Sequence, residues 1–169
     1  MSSSVRSTLA IIAARGGSKG IPQKNLIEMC GQPLLAWSVL QAKSAKGVTE
    51  VAVSSDSDSI LDVATEFGAV AVRRPDDISG DTATSEAAWL HALDERERSG
   101  ATFDRIVALQ ATSPIREPSD IDDALEQFDG ESLDSLLTVG EVEDFFNWRI
   151  GAKGAAESID YDWRNRPRR

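Results

Sequence analysis

Leu9-Ala10-Ile11-Ile12-Ala13-Ala14-Arg15-Gly16-Gly17-Ser18-Lys19-Gly20-Ile21-Pro22-Gln23-Lys24-Asn25 decides the fold. Leu9 to Ala14 is an unbroken apolar run of strand length, cut off by Arg-Gly-Gly, as expected of a strand buried on both faces. Arg15 interrupts the run, so the beginning of the chain reads as a strand rather than a signal peptide. Glycines in the following loop permit an open turn whose backbone N–H groups can approach an anion. Arg15, Lys19 and Lys24 add three cations, and phosphate oxygens call for such charge-assisted donors. The spacing is that of neither a Walker A loop nor a dinucleotide fingerprint.

The rest of the chain repeats the strand-then-helix alternation. Pro33 to Lys46 predicts a helix striped by Leu35, Val39 and Ala42, with Lys43 and Lys46 complementing the dipole at its end before Gly47. Val51 to Val53 predicts a second strand. The polar cluster Ser54-Ser55-Asp56-Ser57-Asp58 then opens a helix carrying Ile60, Leu61, Ala64 and Phe67 and ending at Gly68. Ala69 to Val72 predicts a third strand and Arg73 to Asp81 a loop. A helix from about Ser85 turns Trp89, Ala92 and Leu93 inward and stops at Gly100. Arg105 to Leu109 predicts a fourth strand. Ser119 is expected to cap a helix with Ile121, Ala124, Leu125 and Phe128 on one side and Asp122 at the capping-box position. Leu133 to Val139 predicts another strand. This order implies one α/β domain, 1–169, with a mostly parallel sheet covered on both faces. Ligands in such sheets bind beyond the carboxyl ends of the strands, which directs attention to the loops after Ala14, Val53, Val72 and Leu109.

Composition narrows the function. With 18 Lys plus Arg against 28 Asp plus Glu, the net charge of −10 argues against general nucleic-acid binding and against anionic membranes. The single cysteine, Cys30, precludes an internal disulfide or thiolate metal cluster and reads as a small hydrophobe in a reducing, cytoplasmic setting. No apolar stretch approaches the ~20 residues of a membrane span.

Several segments, in order, closely resemble the acylneuraminate cytidylyltransferases, which activate nonulosonic acids such as sialic acid as CMP-sugars. They are IIAARGGSKGIPQKN, Gly31-Gln32-Pro33-Leu34-Leu35, Val53-Ser54-Ser55-Asp56-Ser57, Arg73-Arg74-Pro75 with Asp81-Thr82-Ala83-Thr84-Ser85, and Leu109-Gln110-Ala111-Thr112-Ser113-Pro114-Ile115-Arg116. The resemblance implies a Rossmann-like, three-layer nucleotidyltransferase fold. It also implies attack of the sugar's anomeric hydroxyl on the α-phosphorus of CTP, with release of pyrophosphate. By the same resemblance Arg15 and Lys24 grip the triphosphate, with Lys19 as helper. Ala13, Ala14, Gly16 and Asn25 contact the nucleotide. Arg74, Thr84 and Ser85 hold the cytidine, Gln110 lies between nucleotide and sugar, and Arg169, beside Arg168, binds the sugar carboxylate.

Mg²⁺ is the implied cofactor, with ligands unknown, and the longer family form is implied to be a homodimer. The chain is expected to be C-terminally truncated relative to that family, and a catalytically incomplete CTP-binding fragment stays open as an alternative. Legionaminic, pseudaminic and 3-deoxy-manno-octulosonic acids stay open as alternative sugars. Asp56 and Asp58 read as helix caps rather than metal ligands, and the acids Asp120, Asp122, Asp123 and Glu126 as a solvated outer face. His91 reads as a packed or solvent-facing residue, and Trp37 and Trp89 as core. Trp148, Tyr161 and Trp163 read equally as a flap over the sugar or as interface, and Phe145-Phe146 as packing.

Overall fold

In the computed structural model, residues 6–17, 20–140, 148–152 and 154–159 are described. They fall in two compact units, 1–135 and 136–169. The first unit is built on a four-stranded parallel sheet. β1 (Thr8–Ala13) is followed by a short 3₁₀ turn (Lys24–Leu26) and a two-residue hairpin, β2 (Glu28–Met29) and β3 (Gln32–Pro33). α1 (Leu34–Ser44), β4 (Glu50–Ser55), α2 (Asp58–Glu66), β5 (Val70–Arg73), α3 (Ser85–Arg98), β6 (Arg105–Leu109) and α4 (Pro118–Gly130) complete it. The spatial order is β5-β4-β1-β6, so the chain winds outward from β1 in one direction and then crosses to its other side.

Alternate residues of β1 serve opposite faces, as the strand's period of two requires. Ala10 and Ile12 pack with Leu35, Val39 and Ala42 of α1, Ile60 and Ala64 of α2, and Ile121 and Leu125 of α4. Leu9 and Ile11 face Ala92, Trp89 and Leu93 of α3. Three layers result, and every residue from Thr8 to Ile12 is fully buried, which is why the opening run could be apolar without alternation.

Register sets the edge of the sheet. Ile12 pairs with Leu109, Ala13 with Ser54, and Ser55 with Arg73. The ladder continues past the strands, with Ala14 N–H donating to the Ser54 carbonyl at 3.0 Å and Arg74 N–H to the Ser55 carbonyl at 2.8 Å. Arg15, Asp56, Arg74 and Gln110 therefore leave the sheet at one carboxyl edge.

Several expectations are corrected. Residues 133–139 form no strand. Leu137 and Val139 are each 82% exposed, and an apolar run without a sheet partner has nothing to pair or bury against. α4 begins earlier than Ser119: Glu117 is its N-cap and Asp120 the capping-box partner, because Pro118 occupies the first helical turn. Asp122 is not a capping-box residue. Nor is it merely solvated: its carboxylate accepts the N–H groups of Lys46 at 3.1 Å and Gly47 at 2.8 Å, holding the α1–β4 connection. Gly47 packs closely on α4 there: a Cβ would stand 2.7 Å from Leu125 Cδ1, so the leucine end would have to shift. Lys43 stands in the last turn of α1 as expected and also serves the end of α2, donating Nζ to the Phe67 carbonyl at 3.0 Å. Cys30 is exposed, not packed; with Gly31 it forms the hairpin turn, both at positive φ (51° and 82°).

Of the second unit, an antiparallel hairpin is described: β7 (Trp148–Ile150) pairs with β8 (Ala156–Ser158). Arg149 Nε donates to Glu157 Oε2 at 3.0 Å across it. Phe145, Phe146, Tyr161 and Trp163 lie outside the described residues. Among the described residues no helix is long and apolar enough to cross a membrane.

Candidate active site

The carboxyl edge gathers charge from three loops. Arg15 follows β1 and is partly exposed; its Nη1 donates to Asp81 Oδ1 at 2.9 Å. Asn25, 6% exposed, donates its side-chain amide to the Arg15 carbonyl at 3.2 Å. The 3₁₀ turn carrying Lys24 is thereby tied back onto the loop, and Asn25 positions that loop from below. Gly16 passes so close to the start of α2 that a Cβ would meet Ser57 Cβ at 2.9 Å, and its N–H donates to Asp56 Oδ1 at 2.9 Å.

Arg74, past β5, is 7% exposed. Its Nη2 lies 3.8 Å from the same Asp56 Oδ1, an ion-pair distance rather than a hydrogen bond. Among the described residues, its buried Nε and Nη2 find no acceptor. Burial is the main force pushing this guanidinium below its ordinary value; Asp56 raises it and Arg15 lowers it further. Two cations thus share one edge, Arg74 with donors to spare. Buried polar groups are normally satisfied, so spare donors mark a place where an anionic or carbonyl-bearing ligand fits.

Asp56 is accordingly not a helix cap. Ser57 is the N-cap residue of α2 and makes no side-chain cap, while Asp56 turns toward Gly16 and Arg74. Asp58 stands in the first turn of α2 and pairs with Arg73 at 2.5 Å. Thr84 caps α3, accepting from Ala87 N–H at 3.2 Å, and Ser85 is the first helical residue. Ala13 and Ala14 form the strand end under the loop. Gln110 follows β6, with an exposed side chain and a carbonyl held by Arg116. Lys19, Arg168 and Arg169 lie outside the described residues.

Three contributors were not assigned from sequence: Asp56 as the tie between Gly16 and Arg74, Asp81 as the partner of Arg15, and Arg116. Asp56 and Asp81 follow strand and loop ends in the quoted motifs, so their position was the available signal. Burial of Arg116 pushes it below its ordinary value, with Asp120 raising it. Trp37 donates Nε1 to the Met29 carbonyl at 2.8 Å and Trp89 packs on the α3 face, so both are structural. His91 lies half-buried on α3. Among the described residues, no group of three or more His, Cys, Asp or Glu could cage a cation.

The sequence profile of the cytidylyltransferase family matches residues 9–148. An N-acylneuraminate cytidylyltransferase from Oncorhynchus mykiss is 37% identical over 167 residues, covering 97% of this chain and 38% of that protein. A pseudaminic acid cytidylyltransferase from Campylobacter jejuni subsp. jejuni serotype O:23/36 (strain 81-176) is 36% identical over 136 residues, covering 80% of this chain and 59% of that protein. The chain thus spans well under two thirds of either relative. The solved structure of a CMP:2-keto-3-deoxy-manno-octonic acid synthetase complexed with CTP has a TM-score of 0.62 at 22% identity, over 75% of this chain and 48% of that one. That likeness speaks to the α/β fold. Profile, relatives and architecture agree: the chain belongs to the cytidylyltransferase family.

Proposed function

We propose that this chain forms the CTP-binding part of an enzyme that joins CTP to a nine-carbon 2-keto sugar acid, giving the CMP-sugar and pyrophosphate. The observation that carries the reading is the convergence of Arg15 and buried, under-satisfied Arg74 at the carboxyl edge of the sheet. CTP supplies the acceptors those donors need, phosphate oxygens for Arg15 and the cytidine's carbonyl and hydroxyl oxygens for Arg74. Arg15 would exchange Asp81 for a phosphate oxygen, and Lys24 and Lys19 would offset the negative charge that builds on the departing pyrophosphate. Arg74, Thr84 and Ser85 would hold the cytidine. Gln110 would stand between nucleotide and sugar, and Arg169 would meet the sugar carboxylate.

In the reaction a bond forms between the anomeric oxygen and the α-phosphorus. The α–β phosphoanhydride breaks, its electrons leave with pyrophosphate, and the hydroxyl proton is released. Mg²⁺ usually binds through substrate phosphates plus one or two carboxylates, so it would enter with CTP as part of the substrate. The family resemblance further supports a single nucleotidyltransferase domain, a homodimer for the longer form and a cytoplasmic setting.

Pyrophosphate release from CTP, Mg²⁺ and a panel of sialic, legionaminic, pseudaminic and 3-deoxy-manno-octulosonic acids tests this and identifies the sugar. CTP binding without release would support the incomplete fragment. Arg15→Ala removes charge-assisted hydrogen bonds of about 1.5–3 kcal/mol, so CTP is expected to bind roughly 10- to 100-fold more weakly. Lys46→Ala, at the opposite end of the sheet, is expected to change binding by no more than about twofold, as an ordinary surface substitution does. Equal effects would remove Arg15 from the site.

A further inference from the structure

The loop joining β6 to α4 carries a guanidinium whose position neither phosphate binding nor an ion pair explains. Arg116 Nη2 donates to the Gln110 carbonyl at 2.9 Å and to the Ser38 hydroxyl at 2.8 Å, while Nε donates to Gln41 Oε1 at 2.9 Å. Gln41 completes the circuit by donating Nε2 to the Pro114 carbonyl at 2.6 Å. Ser113 N–H meets the same Gln110 carbonyl at 3.1 Å. Ser38 and Gln41 belong to α1, and Ser38 is fully buried, so the anchor point is part of the core.

These acceptors are all neutral, and burial disfavours the charge. A side chain kept there at that cost must do something a neutral one cannot. What it does is geometric: a planar fork reaches a helix hydroxyl, a helix amide and a loop carbonyl together, which a lysine ammonium does not reproduce. The loop returns on itself between Gln110 and Arg116, so the fork locks both its ends to α1.

We propose that Arg116 is a positioning residue for Gln110, setting where the Gln110 amide stands at the carboxyl edge between nucleotide and sugar. This rests on the function proposed above. Arg116 meets no substrate in this arrangement; it acts through the loop it holds.

The test is a double-variant cycle on the full chain, read by pyrophosphate release and by CTP binding. Arg116→Lys keeps the charge but loses the fork, and is expected to lower kcat/KM for the sugar acid about tenfold, as loss of one charge-assisted hydrogen bond does. CTP affinity is expected to stay within about twofold, since the Arg15 loop holds the triphosphate. Gln110→Ala is expected to lower kcat/KM at least as much. The double variant should then be no worse than Gln110→Ala alone, because residues acting as a unit are non-additive. Ser38→Ala, a smaller change that removes one acceptor of the fork, should reproduce a milder version of the loss.

Losses that multiply in the double variant would overturn the proposal. So would a matching fall in CTP affinity, or an inert Gln110→Ala. No CTP binding by the unaltered chain would overturn the functional reading, and the proposal with it; CTP binding without release with any sugar acid would overturn the Arg116 role in this chain and leave the CTP-binding reading standing. Release by the unaltered chain with multiplying losses overturns the Arg116 role alone.

Discussion

Gly16 and Gly17 are adjacent, lack positive φ, and are expected to answer the same substitution differently. At Gly16 an added Cβ would stand 2.9 Å from Ser57 Cβ and 3.4 Å from Ser57 Oγ. Ser57 is the N-cap residue of α2, so the clash cannot be relieved by swinging a flexible side-chain end. The loop must move, and with it the Gly16 N–H bond to Asp56. Overpacking of this kind costs about 1–3 kcal/mol. Against it, alanine gains about 0.4–1 kcal/mol by restricting the unfolded chain. At mid-range values the clash wins by about 1.3 kcal/mol, and at roughly 2–4 °C per kcal/mol the melting temperature of Gly16→Ala should fall by about 3–5 °C. At Gly17 a Cβ meets nothing within 4 Å, so only the unfolded-state gain remains and Gly17→Ala should melt at the same temperature or slightly higher. Thermal melts of the ligand-free proteins decide the matter. CTP titration follows, with Gly16→Ala expected to bind more weakly because Arg15 and Arg74 no longer share one fixed edge. Equal melting temperatures for the two variants would refute the close-approach argument.

Two further outcomes concern the scaffold. Asp122→Ala strands the N–H groups of Lys46 and Gly47 and should cost about 1–3 kcal/mol in urea denaturation, whereas Asp123→Ala on the exposed side should stay within about 0.5 kcal/mol; equal costs would return Asp122 to the solvated face. Asp129 is hydrogen-bonded by Arg105, whose contact is the main cause holding its carboxyl below the ordinary range, with Arg6 adding to it. The folded state therefore favours the charged form, and the stabilisation is complete above the usual carboxylate range and lost as pH falls through the lowered value. The melting-temperature gap between the unaltered protein and Asp129→Asn should be widest at neutral pH and close in acid; a gap that persists in acid would refute the assignment.

Strands were the easiest features to read, whether buried on both faces like β1 or alternating at the sheet edge like β6. Leu9 to Ala14 and Arg105 to Leu109 are short apolar or mixed runs with clear ends, and the latter has the predicted bounds. Leu133 to Val139 shows the limit: a strand needs a neighbour as well as apolar residues, and sequence carries no record of which edges are open. The α4 cap was missed by two residues because serine outweighed the proline before it. Pro118 at the first helical turn, with Glu117 and Asp120 three apart, was the better signal. In the site, the cations of the first loop were legible because they crowd one short glycine-rich segment. Asp56 and Arg116 acquire their roles from partners 40 and 78 residues away, and Arg74 from Asp56 on the preceding strand's loop, which no local spacing reports.

The exposed turn at Cys30 gives the protein a practical property. It is the chain's sole thiol, set at the tip of a hairpin whose next residue is Gly31. A maleimide fluorophore or spin label would therefore attach at one defined point without mutagenesis. In air the same thiol would join two chains turn to turn through a single reducible link, so any dimer measured without reductant needs a reduced control.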